Sequence, residues 1–183
     1  MLVEVRKTIE EDIPILKKII QRSVLELQKD DYSPIQLEKS LKLIYGIDSQ
    51  LVQDGTYFTA VLKNEKNEEP ILVGCGGWSK RKTLYGGDQF AFREDNLLNP
   101  VTDAAKIRAF FVHPEYARIG VGSKILETCE QAAKENGFSR LEMGATLTGV
   151  KFYEKKGYTQ IEESFAPLDE GYVLPIVRMG KDV

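Results

Sequence analysis

The chain has 183 residues, is 42% hydrophobic and 29% charged, and carries a formal net charge of −3 with a sequence pI near 5.4. That is about one domain's length, long enough to bury roughly 70% of the unfolded surface around one core. The mildly acidic balance argues against non-specific nucleic-acid binding, which needs a broad basic face. The two cysteines, Cys75 and Cys129, are far apart and neither belongs to a C-x-x-C pair. They make neither a disulfide framework nor a zinc site, and their apolar surroundings predict buried, inert thiols with no metal. Met1 to Arg6 turns to charge at once, and no apolar run approaches ~20 residues. The expectation is a soluble, cytoplasmic protein with no membrane or nucleic-acid partner.

Taken in chain order, Leu2–Lys7 alternates apolar and polar residues and reads as a strand. From Glu10 to Gln28, Ile13, Leu16, Ile19, Ile20, Val24 and Leu27 recur at helical spacing, with Pro14 tolerable near the start. In "SPIQLEKSL", Ser33 caps a second helix, Pro34 takes its first position and Gln36 completes a capping box. Thr56–Lys63 and Ile71–Trp78 are β-rich runs, and the polar segment Asn64–Pro70 between them predicts a hairpin. Ser79 to Asp103 has no clear period and exceeds an ordinary connection, so it is expected to be functional or mobile.

Ala105–Val112 predicts a strand with Ile107, Ala109 and Phe111 on one face and Lys106, Arg108, Phe110 and Val112 on the other. Val121, Ile125, Leu126, Cys129, Ala132 and Ala133 then trace an amphipathic helix that stops at Gly137. Phe138–Ala145 is a strand, Thr148–Gly157 a short helix, and Tyr158–Glu163 a strand. Gly171–Gly180 closes the sheet, with Pro175 suggesting an edge or a bulge. The order β-α-α-β-β-β-α-β-α-β-β is that of an α/β or α+β sheet protein, and nothing divides residues 1–183 into two domains.

The loop "ARIGVGSK", Ala117–Lys124, carries the chemistry. A Walker A loop would need Lys and then Ser or Thr directly after Gly122, but Ser123 precedes Lys124. A dinucleotide fingerprint would need a third glycine where Ile125 stands. What remains is a strand, a His-Pro turn, and Arg-x-Gly-x-Gly opening a long helix. The first N–H groups of a helix have no internal partner, and the helix dipole makes that end positive. Gly120 and Gly122 leave no Cβ to keep an anion from those donors, and Arg118 adds a fixed cation. The alternative is a plain tight turn that uses glycine for its backbone freedom.

"FFVHPEYARIGVG" followed about 30 residues later by "FYEKKGY" (Phe152–Tyr158) resembles the GNAT superfamily of N-acetyltransferases. The family's loop opens with Gln or Arg where this chain has Ala117, the cation being shifted to Arg118. The family's frequent Asn six residues before Phe152 is Thr146 here. The resemblance implies one GNAT-like domain: a mixed, mostly antiparallel sheet of about seven strands, splayed at the cofactor site and flanked by about four helices. It implies acetyl transfer from acetyl-CoA to a primary amine of a small molecule or peptide by direct attack. The pyrophosphate would meet Arg118, Ile119, Gly120, Val121, Gly122 and Ser123. The pantetheine arm would pair with the strand edge Phe110, Phe111 and Val112, where a backbone N–H near Val112 faces the developing oxyanion. Tyr153 would be the acid beside the sulfur, or else an aromatic packing with Phe152.

No carboxylate matches the family's base. Glu142 could serve directly or through water, or be a charge opposite Arg108 or Arg140. His113, before Pro114, fits a structural role, and the base stays unassigned. Trp78 and Tyr85 could wall the acceptor pocket, Asp88 could pair an amine, and Lys80–Lys82 could attract an acidic group or the 3′-phosphate of CoA, the alternative being a solvated charged loop. A homodimer is a family habit. The competing reading is a non-catalytic acyl-CoA-binding or regulatory module.

Overall fold

In a computed structural model the described residues are 2–63 and 69–183. Most of the expected turn Asn64–Pro70 therefore lies outside the described residues, but the strands it joins do pair antiparallel. β1 (Leu2–Lys7) is followed by α1 (Ile13–Leu27), α2 (Pro34–Leu43) and a short α3 (Ser49–Gln53). β2 (Tyr57–Lys63), β3 (Ile71–Ser79) and β4 (Ala105–Val112) lead to α4 (Val121–Glu135). β5 (Arg140–Thr146), α5 (Val150–Lys155), β6 (Thr159–Pro167) and β7 (Val173–Asp182) complete the chain. The described strands form one seven-stranded sheet in the order β1-β2-β3-β4-β5-β7-β6. Every neighbouring pair is antiparallel except β4 with β5.

α1 buries Leu16, Ile19, Ile20 and Val24 on the face predicted by their spacing. Asp12, just before it, is bound by Arg6 at 2.6 and 2.8 Å and by Thr59 at 3.2 Å, tying the helix start to the first two strands. The capping box of α2 forms as its sequence demands, Gln36 N donating to Ser33 Oγ at 3.3 Å and Ser33 N to Gln36 Oε1 at 3.0 Å. α3 was not expected; five residues are too few to show a period. Its signal is Asp48, whose carboxylate accepts from Gln50 N at 3.1 Å and Leu51 N at 3.4 Å.

Hydrophobic cores lie on both faces of the sheet. One gathers Ile125, Leu126, Cys129 and Ala133 of α4 with Trp78, Ile107, Leu141 and Met179. The other sets α1 and Leu37 of α2 against Tyr57, Cys75, Phe111 and Ile176. Ile107 and Phe111 therefore face opposite ways, and Phe110 and Val112 pack with Ile107. This corrects the simple alternation read along β4. Gly77 pairs Arg108 while Cys75 pairs Phe111, so Ala109 and Phe110 together stand opposite Gly76. That is a β-bulge: one extra residue turns every side chain beyond it to the other face. Ala109 takes a φ of 50°, and the Tyr57 hydroxyl donates to its carbonyl at 3.0 Å. Gly76 is glycine for a steric reason, since a Cβ there would lie 2.4 Å from the Phe110 ring.

β7 does not close the sheet at its edge but runs between β5 and β6. Pro175 is tolerated because pairing with β5 ends at Ile176, leaving that side of Pro175 without a strand. The segment between β3 and β4 is anchored rather than loose. Arg81 binds Asp54 at 2.8 and 2.9 Å, and Thr83 and Glu94 exchange backbone and hydroxyl bonds at 2.8 to 3.0 Å. Arg93 reaches Asp48 at 3.1 Å.

The centre of that anchoring is buried. Arg108, 3% exposed, donates to Asp48, 0% exposed, at 2.7 Å, to the Thr83 carbonyl at 2.9 Å and to the Gly86 carbonyl. Burial pulls the Arg108 guanidinium down to about 10, opposed by the Asp48 carboxylate. Replacing one partner of such a pair leaves a buried charge uncompensated, at about 3–5 kcal/mol. Asp48→Asn, which also weakens the α3 cap, is therefore expected to lower the urea midpoint by an equivalent amount at constant m. A midpoint equal to wild type would show that the network does not support the fold.

Candidate functional site

β4 and β5 share only the register pairs Ala105↔Leu141 and Lys106↔Glu142 and then part. Parallel strands that separate leave backbone N–H and C=O groups of both edges without strand partners. The gap becomes a cleft of about 690 Å³. Its walls are β4 from Ile107 to Val112, β5 from Met143 to Thr146, the start of α4 and one face of α5.

At one end Ala117, Arg118, Gly120, Gly122 and Ser123 line the cleft. Gly120 precedes α4 with a φ of 95° and no side chain caps the helix. The free N–H groups of the first turn are thus open to the cleft end. A Cβ at Gly120 would meet nothing within 4 Å, and one at Gly122 would reach the Phe152 ring at 3.4 Å. Steric crowding within the protein therefore does not require glycine at 122. Without a side chain there, the helix start stays open on its cleft side. Arg118 is itself left-handed, with a φ of 66°. Lys151 and Lys155, one helical turn apart on α5, also line the cleft. Sequence reasoning missed these two, although their i,i+4 spacing puts both on the face that carries them.

In the middle, Phe110, Phe152 and Tyr153 stack edge to face or tilted, with centroids 5.1 to 6.4 Å apart. Tyr153 is buried against Tyr158 and lines the cleft. Burial pushes its phenol well above the ordinary value, so it stays a neutral O–H donor through the neutral range. Gly149 N donates to Thr146 Oγ1 at 3.1 Å, so the residue where the resemblance leads one to look for Asn helps start α5.

At the other end stand Ser23, Leu27 and Gln28 from α1, Ile44 to Gly46 beyond α2, and Leu84 to Gly87. Tyr32, outside the lining, ties β7 to the end of β5, its hydroxyl donating to the Pro175 carbonyl at 2.7 Å and accepting from Leu147 N at 2.9 Å.

The structure thus brings Phe110, Phe111, Val112, Arg118, Gly120, Gly122, Ser123, Tyr153 and Tyr85 to one cleft. Ile119 is exposed beside it, and Val121 is buried in the core beneath, so only their backbones face the helix start. Three candidates fall elsewhere. Trp78 is 1% exposed and packs on Phe138 in the α4 core, because the run of β3 turns it to that face. Asp88 accepts from Ser49 N and Oγ at 2.9 and 2.8 Å, at a separate surface hollow beside α1. Glu142 is held by Lys106 at 3.0 Å and Arg178 at 2.9 Å, not by Arg108 or Arg140, and it lies outside the cleft lining. Lys80 and Lys82 are not in the lining either, and Arg81 between them is engaged with Asp54. His113 Nδ1 accepts from Glu115 N at 3.3 Å, and its Nε2 lies 3.0 Å from Arg22. Both cysteine thiols are buried, and burial pushes them up, Cys75 to about 12.

A family profile described as the acetyltransferase (GNAT) domain matches residues 93–172, which contain both motifs and most of the cleft walls. A GCN5-related N-acetyltransferase from Rhodopseudomonas palustris aligns over 100% of this chain and 99% of its own, with a TM-score of 0.72 at 21% identity. The PaiA N-acetyltransferase from Thermoplasma acidophilum, solved with coenzyme A, aligns over 100% of both chains with a TM-score of 0.65 at 16% identity. YncA, a putative acetyltransferase from Salmonella typhimurium solved with acetyl-CoA, covers 98% of this chain and 93% of its own, at 0.61 and 14%. No curated protein matches in sequence. The fold is the GNAT fold, and residues 93–172 are similar to the GNAT acetyltransferase domain. Among the described residues no helix is long and apolar enough to cross a membrane.

For Glu142 the environment specifies a stability role. Burial favours its neutral form, but hydrogen bonds from Lys106 and Arg178 outweigh that and hold its carboxyl below the ordinary range. A depressed folded-state pKa adds stability that is present above the unfolded value, about 4.3, and is lost as pH falls through the folded one. Glu142→Gln is expected to lower stability by about 1–3 kcal/mol at pH 7, with the deficit closing below about pH 4. A deficit constant from pH 7 to 3 would contradict this assignment.

Proposed function

We propose that the chain binds acetyl-CoA in the β4/β5 cleft and transfers the acetyl group to a primary amine of a small molecule or peptide. One observation carries the reading: an uncapped helix start, a strand edge without a partner and a buried tyrosine share a single cleft. Backbone N–H groups at Val121 to Ser123 would hold the pyrophosphate, with Arg118, Lys151 and Lys155 as cations around it. The free edge of β4 would pair the amides of the pantetheine arm. Acetyl-CoA supplies an acyl carbon activated as a thioester.

The chain's own residues then have three tasks. β4 holds the amine in line with that carbon, and a backbone N–H near Val112 faces the oxygen that gains charge. Tyr153 donates toward the departing sulfur. The N–C bond forms as the C–S bond breaks, and the proton lost by the amine balances the one gained by the thiol, whose reference pKa is about 8.5. We further propose that residues 1–183 act as one domain in a cytoplasmic setting.

A second reading has its own support. No carboxylate or imidazole lines the cleft among the described residues, which suits an acyl-CoA-binding module that performs no proton transfer. Thiol release from acetyl-CoA across a panel of amines separates the two readings, since a module releases none. Acetyl-CoA and CoA should raise the melting temperature; stabilisation by NADH alone would refute the cofactor assignment.

Two substitutions divide binding from chemistry. Gly122→Val, at the start of α4, should weaken acetyl-CoA binding at least about tenfold in calorimetry while the fold persists, since it obstructs the anion position. Unaltered affinity would move the pyrophosphate elsewhere. Tyr153→Phe should keep the affinity and lower kcat by about 100-fold, within the range of a lost general acid. An unchanged kcat would leave Tyr153 a packing residue.

A further inference from the structure

The end of the cleft away from the α4 start holds polar atoms with no partner. Gln28 Oε1, the Tyr45 hydroxyl and Arg108 Nε are each buried, and none has a hydrogen-bond partner in the protein. All three residues line the cleft. Arg108 is 3% exposed and Gln28 6%. A buried polar group without a partner is costly, so three on residues that line one cavity point to something else that completes them. Around them stand Leu27, Ile44, Tyr85 and Phe111, an apolar and aromatic wall.

Charge narrows the occupant. The cleft lining holds Arg108, Arg118, Lys151 and Lys155 and, among the described residues, no carboxylate. A polyamine or aminoglycoside would bring several positive charges into a cavity whose lining offers no carboxylate to pair them, the buried Asp48 being already taken by Arg108 and Arg93. The lining also offers no base, so the acceptor must arrive as a neutral amine. An α-amino group, with a reference pKa of about 7.7–8.0, is neutral about two orders of magnitude more often at pH 8 than a lysine side chain at about 10.4. A donor beside a carbonyl is also what the orphaned atoms ask for. Gln28 Oε1 accepts, while Arg108 Nε donates and the Tyr45 hydroxyl can donate.

Resting on the acetyl-transfer reading above, we propose that the acceptor is an α-aminoacyl group with an apolar or aromatic side chain. Its amine lies toward the acetyl carbon and its carbonyl toward Tyr45 and Arg108. A free amino acid and a peptide N-terminus share this chemistry, and so would the amide of an amino acid.

Two measurements on the full chain test it. Binding is measured by calorimetry on protein saturated with CoA, where no turnover occurs, and thiol release is measured with acetyl-CoA. The probes are phenylalaninamide, phenylalanine, phenylalanyl-glycine, Nα-acetyl-lysinamide and spermidine. At least one aminoacyl probe should bind, and should exceed spermidine and Nα-acetyl-lysinamide at least about tenfold in kcat/KM. The leader among the three identifies the source. Tyr45→Phe keeps the ring against Phe111, and should raise KM for that probe about threefold to tenfold with little change in kcat. Preference for spermidine or the ε-amine overturns the proposal while leaving acetyl transfer intact. Selective aminoacyl binding with no thiol released from any probe supports the ligand class and removes the catalytic reading. Failure of all three aminoacyl probes to bind overturns the proposal outright.

Discussion

β4 and β5 pair at Ala105↔Leu141 and Lys106↔Glu142 and nowhere beyond, and the remaining geometry follows from that separation. Two parallel strands that part inside a sheet expose backbone groups that elsewhere would be bonded, and such groups need partners. On its other side β4 stays paired to β3, but with Ala109 and Phe110 together opposite Gly76. The bulge puts Phe110 and Val112 on the α4 side and Phe111 on the α1 side. One strand can therefore supply aromatic rings to the cleft centre and a wall to its far end.

The supports of the cleft are unequal in kind. The α4 end is built from backbone: a left-handed Gly120, an uncapped first turn and two glycine positions that the protein's own packing leaves open. The far end is built from side chains and depends on Arg108. That guanidinium leaves the sheet to hold Thr83, Gly86 and Asp48, and through Asp48 it meets Arg93 and the start of α3. A long connection that could have been loose is fixed at the point where Tyr85 joins the cleft wall. Fold stability and the shape of the far end of the cleft thus share one ion network.

Much of this was readable from the residues. Periodicity gave α1 and α4, the Ser33–Gln36 box gave the start of α2, and Gly120 with Gly122 marked the uncapped helix start that lines one end of the cleft. What escaped has physical reasons. The bulge at Ala109 depends on pairing with β3, which strand alternation does not contain. Asp48 and Arg108 are 60 residues apart, and only the fold makes them partners. Trp78 read as a possible pocket wall, yet strand direction turns it into the core. Gln28 and Tyr45 gave no signal, since a helix end and a residue after a helix acquire meaning only from the cavity they enclose.

The central claim is that one cleft, between the start of α4 and the separated edge of β4, receives coenzyme A. Amide hydrogen exchange with and without CoA measures this directly, because the groups involved are backbone N–H. The account predicts slowed exchange at Val121 to Ser123 and along Ile107 to Val112 where β4 faces the gap, with α2 and β6 unchanged. CoA binding that leaves both segments unprotected, or that protects the hollow beside α1 instead, would contradict it.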